Sequence, residues 1–225
     1  MITDELKHYL MNGIDADRWD EETYPLRRLM TCYSCAIMEL ETKFRVLNEE
    51  FSLNYDKNPI ESIHTRLKSK NGIARKLKKR NLPMTLKAIE ENIFDVAGLR
   101  VICAFPEDVY LVEKCVLEQD DIRLIKRKDY IKNPKPSGYR SLHLIVEIPI
   151  FLADQKKWVK AEIQLRTLAM DFWASLEHKL RYKKNLDESI EKEIKDSLIK
   201  AADTCYELDL QMEDVRSKIK KREDR

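Results

Sequence analysis

Glycine is scarce. Only four occur in 225 residues: Gly13, Gly72, Gly98 and Gly138. Two common backbone cradles for phosphate, a GxxxxGK(S/T) loop and a GxGxxG turn, are therefore excluded. If this chain holds phosphates, side-chain cations must do most of the holding. No stretch approaches the ~20 apolar residues of a membrane span. The opening MITDELKHYLMNG has neither a basic region nor an apolar run, so it does not read as a signal peptide. The five cysteines, an odd number, fit a reducing cytosol and a cytoplasmic location. Cys32 and Cys35 form a CxxC, but no second ligand pair follows at zinc spacing, so both are expected to pack within a helix. Acidic residues are missing altogether from 62–89.

That acid-free stretch carries nine cations: Arg66, Lys68, Lys70, Arg75, Lys76, Lys78, Lys79, Arg80 and Lys87. Arg66, Lys68 and Lys70 alternate as in an extended segment and would share one side. Arg75/Lys79 and Lys76/Arg80 are i,i+4 pairs that repel each other on a helix. A polyanion nearby is one explanation, and a solvated basic helix is the other. The net charge of the whole chain is only +2, which argues against a general nucleic-acid coat.

Hydrophobic residues make up 43% of the chain, enough for one domain with helical extensions. Residues 1–23 read as a short helix and a loop. Leu26, Met30, Tyr33, Ile37, Leu40, Phe44, Leu47 and Phe51 recur at spacings of four and three. They predict a long amphipathic helix, on the order of 40 Å at 1.5 Å per residue. Helix is also predicted over Thr85–Ile93, Pro106–Gln119 and Ala169–Lys183. Strands are predicted at Val96–Phe105 (a central one), Ile122–Lys128, Leu142–Leu152 and Trp158–Arg166. From an N-cap near Asp187, Ile190, Ile194, Leu198, Ala201, Cys205, Leu208, Met212, Val215 and Ile219 form a near-heptad stripe. Both long stripes suit core or subunit contacts. The expected fold is α+β: a mixed sheet of about five strands covered by helices, with long N- and C-terminal helices.

Chemistry gathers in DYIKNPKPSGYRSLHL, residues 129–144. Lys132, Lys135, Tyr139, Arg140 and His143 surround one turn and the head of one strand, where a ring and several cations can hold a base and its phosphates. An ordinary hairpin turn with solvated lysines would look the same. Two carboxylates also stand out: Asp95 at the mouth of a strand, and Glu162 mid-strand on a polar face with Lys160, Gln164 and Arg166, where Glu is disfavoured. Such a pair can hold Mg2+ with phosphates and waters. It can equally be ion-paired within an arginine-rich fold.

IHTRLKSKNGIARKLKKR, FDVAGLRV, KDYIKNPKPSGYRSLHL, EIQLRT and FWASLEHKLRYK, in this order, resemble the synthetase domain of the RelA/SpoT family. The likeness covers roughly 58–184, which divides the chain into a helical extension (1–57), a catalytic domain (58–184) and a second extension (185–225). With only four histidines there is no HD-type His-Asp cluster, and no room for C-terminal regulatory domains. The chain is thus similar to the small, single-domain alarmone synthetases, which the resemblance implies are tetramers built through flanking helices.

The implied reaction is pyrophosphate transfer from ATP to the 3′-hydroxyl of GDP or GTP, giving ppGpp or pppGpp and AMP in the stringent response. By the same resemblance, Arg66 and Arg100 sandwich the adenine, and Lys68, Lys76 and Lys79 or Arg80 meet the ATP phosphates. Asp95 binds Mg2+. Tyr139 stacks on guanine, Lys135 meets the acceptor's 5′-phosphates, and His143 and Gln164 line its pocket. Glu162 binds the metal and takes the 3′-hydroxyl proton. Lys126-Arg127-Lys128-Asp129 resembles the basic form of a motif linked to acceptor choice, with Lys126 where that form has Arg, which implies use of GTP as well as GDP. One departure is Gly72, where the family usually has serine; a backbone N–H replaces the lost hydroxyl, or ATP binds more weakly. The alternatives are an RNA-binding module using 66–80, and another Mg2+-dependent nucleotidyltransferase that releases pyrophosphate.

Overall fold

The computed structural model describes residues 24–53, 58–180 and 188–223. The readings for 1–23, for residues 54–57 of the Asn54–Pro59 stretch expected to end the first long helix, for Tyr182 and Lys183, and for Asp187 as a cap fall outside the described residues. Eleven elements follow in order: α1 (Tyr24–Ser52), β1 (Ile60–Leu67), α2 (Lys70–Lys79), α3 (Leu86–Asn92), β2 (Ala97–Cys103), α4 (Pro106–Leu117), β3 (Arg123–Asp129), β4 (Leu142–Phe151), β5 (Lys156–Thr167), α5 (Leu168–Leu180) and α6 (Glu188–Glu223). This is the expected α+β arrangement.

The five strands form one mixed sheet in the order β1-β2-β5-β4-β3. Only β2 and β5 run parallel. Val96–Phe105, expected as a central strand, contains β2, which lies inside the sheet between β1 and β5, and β5 takes the middle. The periodicity of two cannot tell an inner strand from a central one.

α1 lies across β1, β2, β4 and β5. Its 3/4 spacing buries Leu26, Leu29, Tyr33, Ile37, Leu40, Phe44 and Leu47 against the inward residues of β5, Val159, Ala161, Ile163 and Leu165. Each such side chain contributes roughly 1.5–3 kcal/mol by leaving water. Cys32 is buried in α1 and Cys35 is half-buried. Because β5 alternates, Lys160, Glu162, Gln164 and Arg166 all fall on the opposite face of the sheet.

Local signals set the element ends. The Ser69 hydroxyl accepts from the Gly72 N–H at 3.1 Å and starts α2. Lys70 thus opens a helix instead of sharing a strand side with Arg66 and Lys68. Thr85 caps α3 through the Ala88 N–H at 3.1 Å. Residues 81–84, with Pro83, separate α2 from α3.

α6 packs on α5 and α4, but not by its heptad stripe. Ala202 and Asp209 are its buried residues, whereas Ile190, Ile194, Leu208, Met212, Val215 and Ile219 are exposed. The inward face is offset and partly polar: Asp209 accepts from the Thr167 hydroxyl at 2.6 Å, and Arg216 pairs with Asp108 at 2.7 Å.

Candidate active site

Glu162 sits at the centre of the polar sheet face. Its Oε2 accepts from Gln164 Nε2 at 2.8 Å, and its Oε1 lies 3.1 Å from His143 Nδ1. His143 is on β4 directly across from Gln164. Its Nε2 lies 2.8 Å from the Tyr139 hydroxyl. That hydroxyl accepts from Arg166 Nη2 at 2.7 Å, and Arg166 Nη2 also donates to Gln164 Oε1 at 3.0 Å. A closed ring results: Glu162, His143, Tyr139, Arg166, Gln164 and back to Glu162.

Tyr139 receives from Arg166, which leaves its own hydrogen available to His143 Nε2; in the tautomer that accepts it, His143 donates from Nδ1 to Glu162. Burial pushes the Glu162 carboxyl up, but His143 and Gln164 outweigh it and hold it below the ordinary glutamate value; the nearby Asp95 charge opposes them. An ionised carboxylate is thus kept in a half-buried cleft with every oxygen satisfied.

Asp95 lies two residues before the start of β2, which pairs with β5 so that Gly98 lies beside Glu162. Lys68 and Lys76 approach its two oxygens at 3.1 and 2.7 Å. Burial pushes this carboxyl up too, and the two ammonium groups more than reverse it. A cleft of about 340 Å³ opens alongside, lined by His64, Arg66, Gly98, Arg100, Glu162, Gln164 and Asp171, with Thr65 and Leu99. Arg66 lies across from Gly98 and His64 across from Arg100. Two guanidiniums therefore flank a floor with no side chain at Gly98, a gap suited to a flat ring.

The turn before β4 forms the other side. Lys135 N–H donates to the Tyr139 carbonyl at 3.1 Å, and Gly138 N–H to the Lys135 carbonyl at 2.8 Å. Lys135 Nζ stands 4.6 Å over the rings of both Tyr130 and Tyr139. Tyr130 meets Tyr139 edge-on at 6.1 Å and His143 at 5.3 Å. Burial lowers the Lys135 ammonium pKa, and Lys128 lowers it further. Lys128 pairs with His143 and Lys126 with Ile145, so both point to this face. Arg127 points the other way, to Glu113 at 2.6 Å.

The structure thus gathers Arg66, Lys68, Lys76, Asp95, Arg100, Lys135, Tyr139, His143, Glu162 and Gln164 around one face. Two expected cations stand apart. Lys79 is exposed at the end of α2. Arg80 donates to the Asn92 carbonyl at 2.6 Å, which joins α2 to the end of α3 and turns it from the cleft. Arg140 is likewise drawn off, to Asp203 at 3.2 Å and over the Tyr206 ring. The Gly72 N–H already serves Ser69, so it is not free to replace a serine hydroxyl. A Cβ at Gly72 would come within 3.1 Å of Lys68 Cγ; glycine there leaves Lys68 room to reach Asp95.

Three residues escaped the sequence reading: Arg166, Asp171 and Tyr130. Arg166 was visible on the polar face of β5 but carried no distinguishing mark. Asp171 showed only as an acid in the first turn of α5. Tyr130 is one ring in a charged stretch.

Among the described residues no cluster of three His, Cys, Asp or Glu is placed to hold a metal. The donor set still fits Mg2+ shared with phosphates. Asp95 and Glu162 are both ionised, and close enough for one charge to act on the other. Asp95 is otherwise neutralised by two flexible ammonium groups. Hard oxygen donors few in number are what Mg2+ takes when substrate supplies the rest.

Residues 65–187 match the family described as "Region found in RelA / SpoT proteins". The chain is 45% identical over 187 residues to GTP pyrophosphokinase YwaC of Bacillus subtilis, covering 83% of this chain and 88% of that one. It is 34% identical over 206 residues to GTP pyrophosphokinase YjbM of the same organism, covering 92% of each. Its structure is similar to that of small alarmone synthetase 1 from Bacillus subtilis bound to its product pppGpp, with a TM-score of 0.78 and 34% identity over 87% of this chain and 98% of that one.

Proposed function

The chain belongs to the RelA/SpoT family, and we propose that it is a small alarmone synthetase. It transfers pyrophosphate from ATP to the 3′-hydroxyl of GDP or GTP, releasing AMP and ppGpp or pppGpp. One observation carries the reading. On a single sheet face an ionised, fully hydrogen-bonded Glu162 lies between a cleft flanked by two arginines and a turn crowned by Tyr139 and Lys135.

In this reading Arg66 and Arg100 hold the adenine, and Lys68, Lys76 and Lys79 turn to the ATP phosphates. Arg80 supports α2 from behind. Tyr139 stacks on guanine, Lys135 meets the acceptor's 5′-phosphates, and His143 and Gln164 line the pocket. Glu162 takes the 3′-hydroxyl proton. Its lowered pKa keeps it ready at neutral pH, and the base contributes on the order of 10²–10⁴-fold. In-line positioning and charge neutralisation supply most of the rest. Asp95 and Glu162 would hold Mg2+, which when bound neutralises charge on the transferred phosphates.

Incubation with ATP, GDP and Mg2+ tests the reading. AMP plus a guanosine tetraphosphate is expected. Free pyrophosphate would point to another nucleotidyltransferase, and RNA retention without turnover to an RNA-binding module. The RNA reading accounts for the exposed Arg75, Lys78 and Lys79 but not for two carboxylates in the same cleft.

The exposed apolar stripe of α6 supports a homotetramer, since lone chains rarely leave such a row to water. Sedimentation should give four times 26.7 kDa, and Leu208→Glu with Met212→Glu should lower it. A cytoplasmic location is consistent with the described helices, none of which is long and apolar enough to cross a membrane.

A further inference from the structure

We propose that Asp171 is a positioning residue that couples the two nucleotide subsites. The inference rests on the synthetase reading above and deepens it.

Asp171 lies in the first turn of α5. The turn is fixed by Thr167, whose hydroxyl oxygen accepts from the Met170 N–H at 3.1 Å. A carboxylate here also faces the positive end of the helix. One oxygen, Oδ1, accepts from two arginines: Arg100 Nη1 at 3.2 Å and Arg166 Nη1 at 2.9 Å. Arg100 lines the donor cleft. Arg166 is 5% exposed and holds the Tyr139 hydroxyl and the Gln164 carbonyl on the acceptor side. The Nε of each arginine is buried without a hydrogen-bond partner. The Arg100 guanidinium is therefore oriented by the shared carboxylate, and Arg166 is held between that carboxylate on Nη1 and the Tyr139 and Gln164 oxygens on Nη2. The Arg166 charge depresses the Arg100 pKa after burial does, and Asp171 opposes both, as the counter-ion of a like-charged pair must.

Sharing one oxygen makes the two arginines competitors. A ring stacked on Arg100 draws that guanidinium toward the cleft and loosens its hold on Oδ1. The oxygen is then left to Arg166, which tightens on it and sets Tyr139 and Gln164 for the acceptor. Filling the donor subsite thus prepares the acceptor subsite, and by linkage the reverse holds to the same factor. A carboxylate that merely neutralised Arg166 would stabilise the fold without passing anything between the subsites.

The test uses full-length protein, Mg2+ and α,β-methylene-ATP, whose bridging carbon blocks transfer. Calorimetry gives the affinity for this analogue with and without saturating GDP. Wild type should show at least fivefold tightening by GDP, and Asp171→Asn less than twofold. Tyr139→Phe removes a single oxygen one link along the path and decides the matter where Asp171→Asn fails to fold; it too should show less than twofold. Undiminished tightening in the folded Asp171→Asn, or in Tyr139→Phe where that variant decides, overturns the proposal. Wild type that makes AMP from ATP and GDP but shows no tightening overturns it alone. Wild type without turnover overturns the synthetase reading with it.

Discussion

A Cβ added to Gly138 would stand 2.6 Å from the Cβ of Ala202, so the acceptor turn rests directly on α6. Gly138 has a φ of 86°, in the left-handed region. Trp173 closes the same contact, its Nε1 donating to the Leu198 carbonyl at 2.8 Å. Arg140 joins the turn to Asp203 and Tyr206. α6 is therefore the bed on which Lys135 and Tyr139 are set, although none of its described residues lines the cleft.

Gly138→Ala should consequently damage acceptor binding more than donor binding. Left-handed strain costs about 1–2 kcal/mol, and the contact with Ala202 adds to it. Steady-state kinetics should show KM for GDP raised ~tenfold or more, with KM for ATP moving less than ~threefold; 1.4 kcal/mol is a factor of ten. Ala202→Gly in the same chain should recover part of the loss, because it relieves the collision but not the φ strain. Equal changes in both KM values would disconnect the turn from the acceptor.

How far the sequence can be read depends on which contacts are local. Periodicity marks α1 because Leu26 to Leu47 all face one sheet. It marks the polar face of β5 because Glu162 has no place in a strand core. The Arg80 contact leaves no trace in composition, since its partner, the Asn92 carbonyl, is a backbone atom on another helix. Asp171 carries no mark either, because its partners are side chains five and 71 residues away. The α6 stripe suited either core or subunit contacts, and within this chain it is not the packing face. Its heptads are real, but Ala202 fits under Gly138 because it is small, and Asp209 fits because Thr167 satisfies it. Packing there follows shape and hydrogen bonding, which hydropathy does not report.

Glu162→Gln keeps the shape of the central residue and removes its charge. Turnover should fall ~10²–10⁴-fold, the usual range for a lost general base. Nucleotide affinity, read by calorimetry, should change little, because Gln can still accept from His143. Activity within threefold of wild type would take Glu162 out of the chemistry.

Asp209 gives the fold a pH signature. Burial pushes its carboxyl up to about 6, the Thr167 hydrogen bond opposes this, and the Glu213 charge adds to it. The folded value lies above the usual unfolded ~3.9. Between the two, the native state holds a proton the unfolded state has released, so stability falls as pH rises through this window. Above about 6 the whole cost is present. Asp209→Asn should therefore raise the melting temperature at pH 7.5, by the equivalent of roughly 1–3 kcal/mol, and leave it unchanged near pH 3.5. An equal gain at both pH values would show that the charge of Asp209 is not the cause.

Acceptor choice should depend on Lys126 and Lys128. Both project from β3 toward the face that carries His143, while Arg127 between them is held away by Glu113. The Lys128 charge is felt at Lys135, so the two ammonium groups belong to one positive field. A γ-phosphate adds negative charge to the acceptor, and a field of this sign should favour it. Lys126→Glu with Lys128→Asp reverses the field without touching the catalytic ring. The rate with GTP relative to GDP should then drop at low salt, and the drop should shrink as ionic strength approaches 1 M, where screening acts over about 3 Å. An unchanged GTP/GDP ratio in a double variant that still turns over GDP would mean that these lysines are solvated and the choice is made elsewhere.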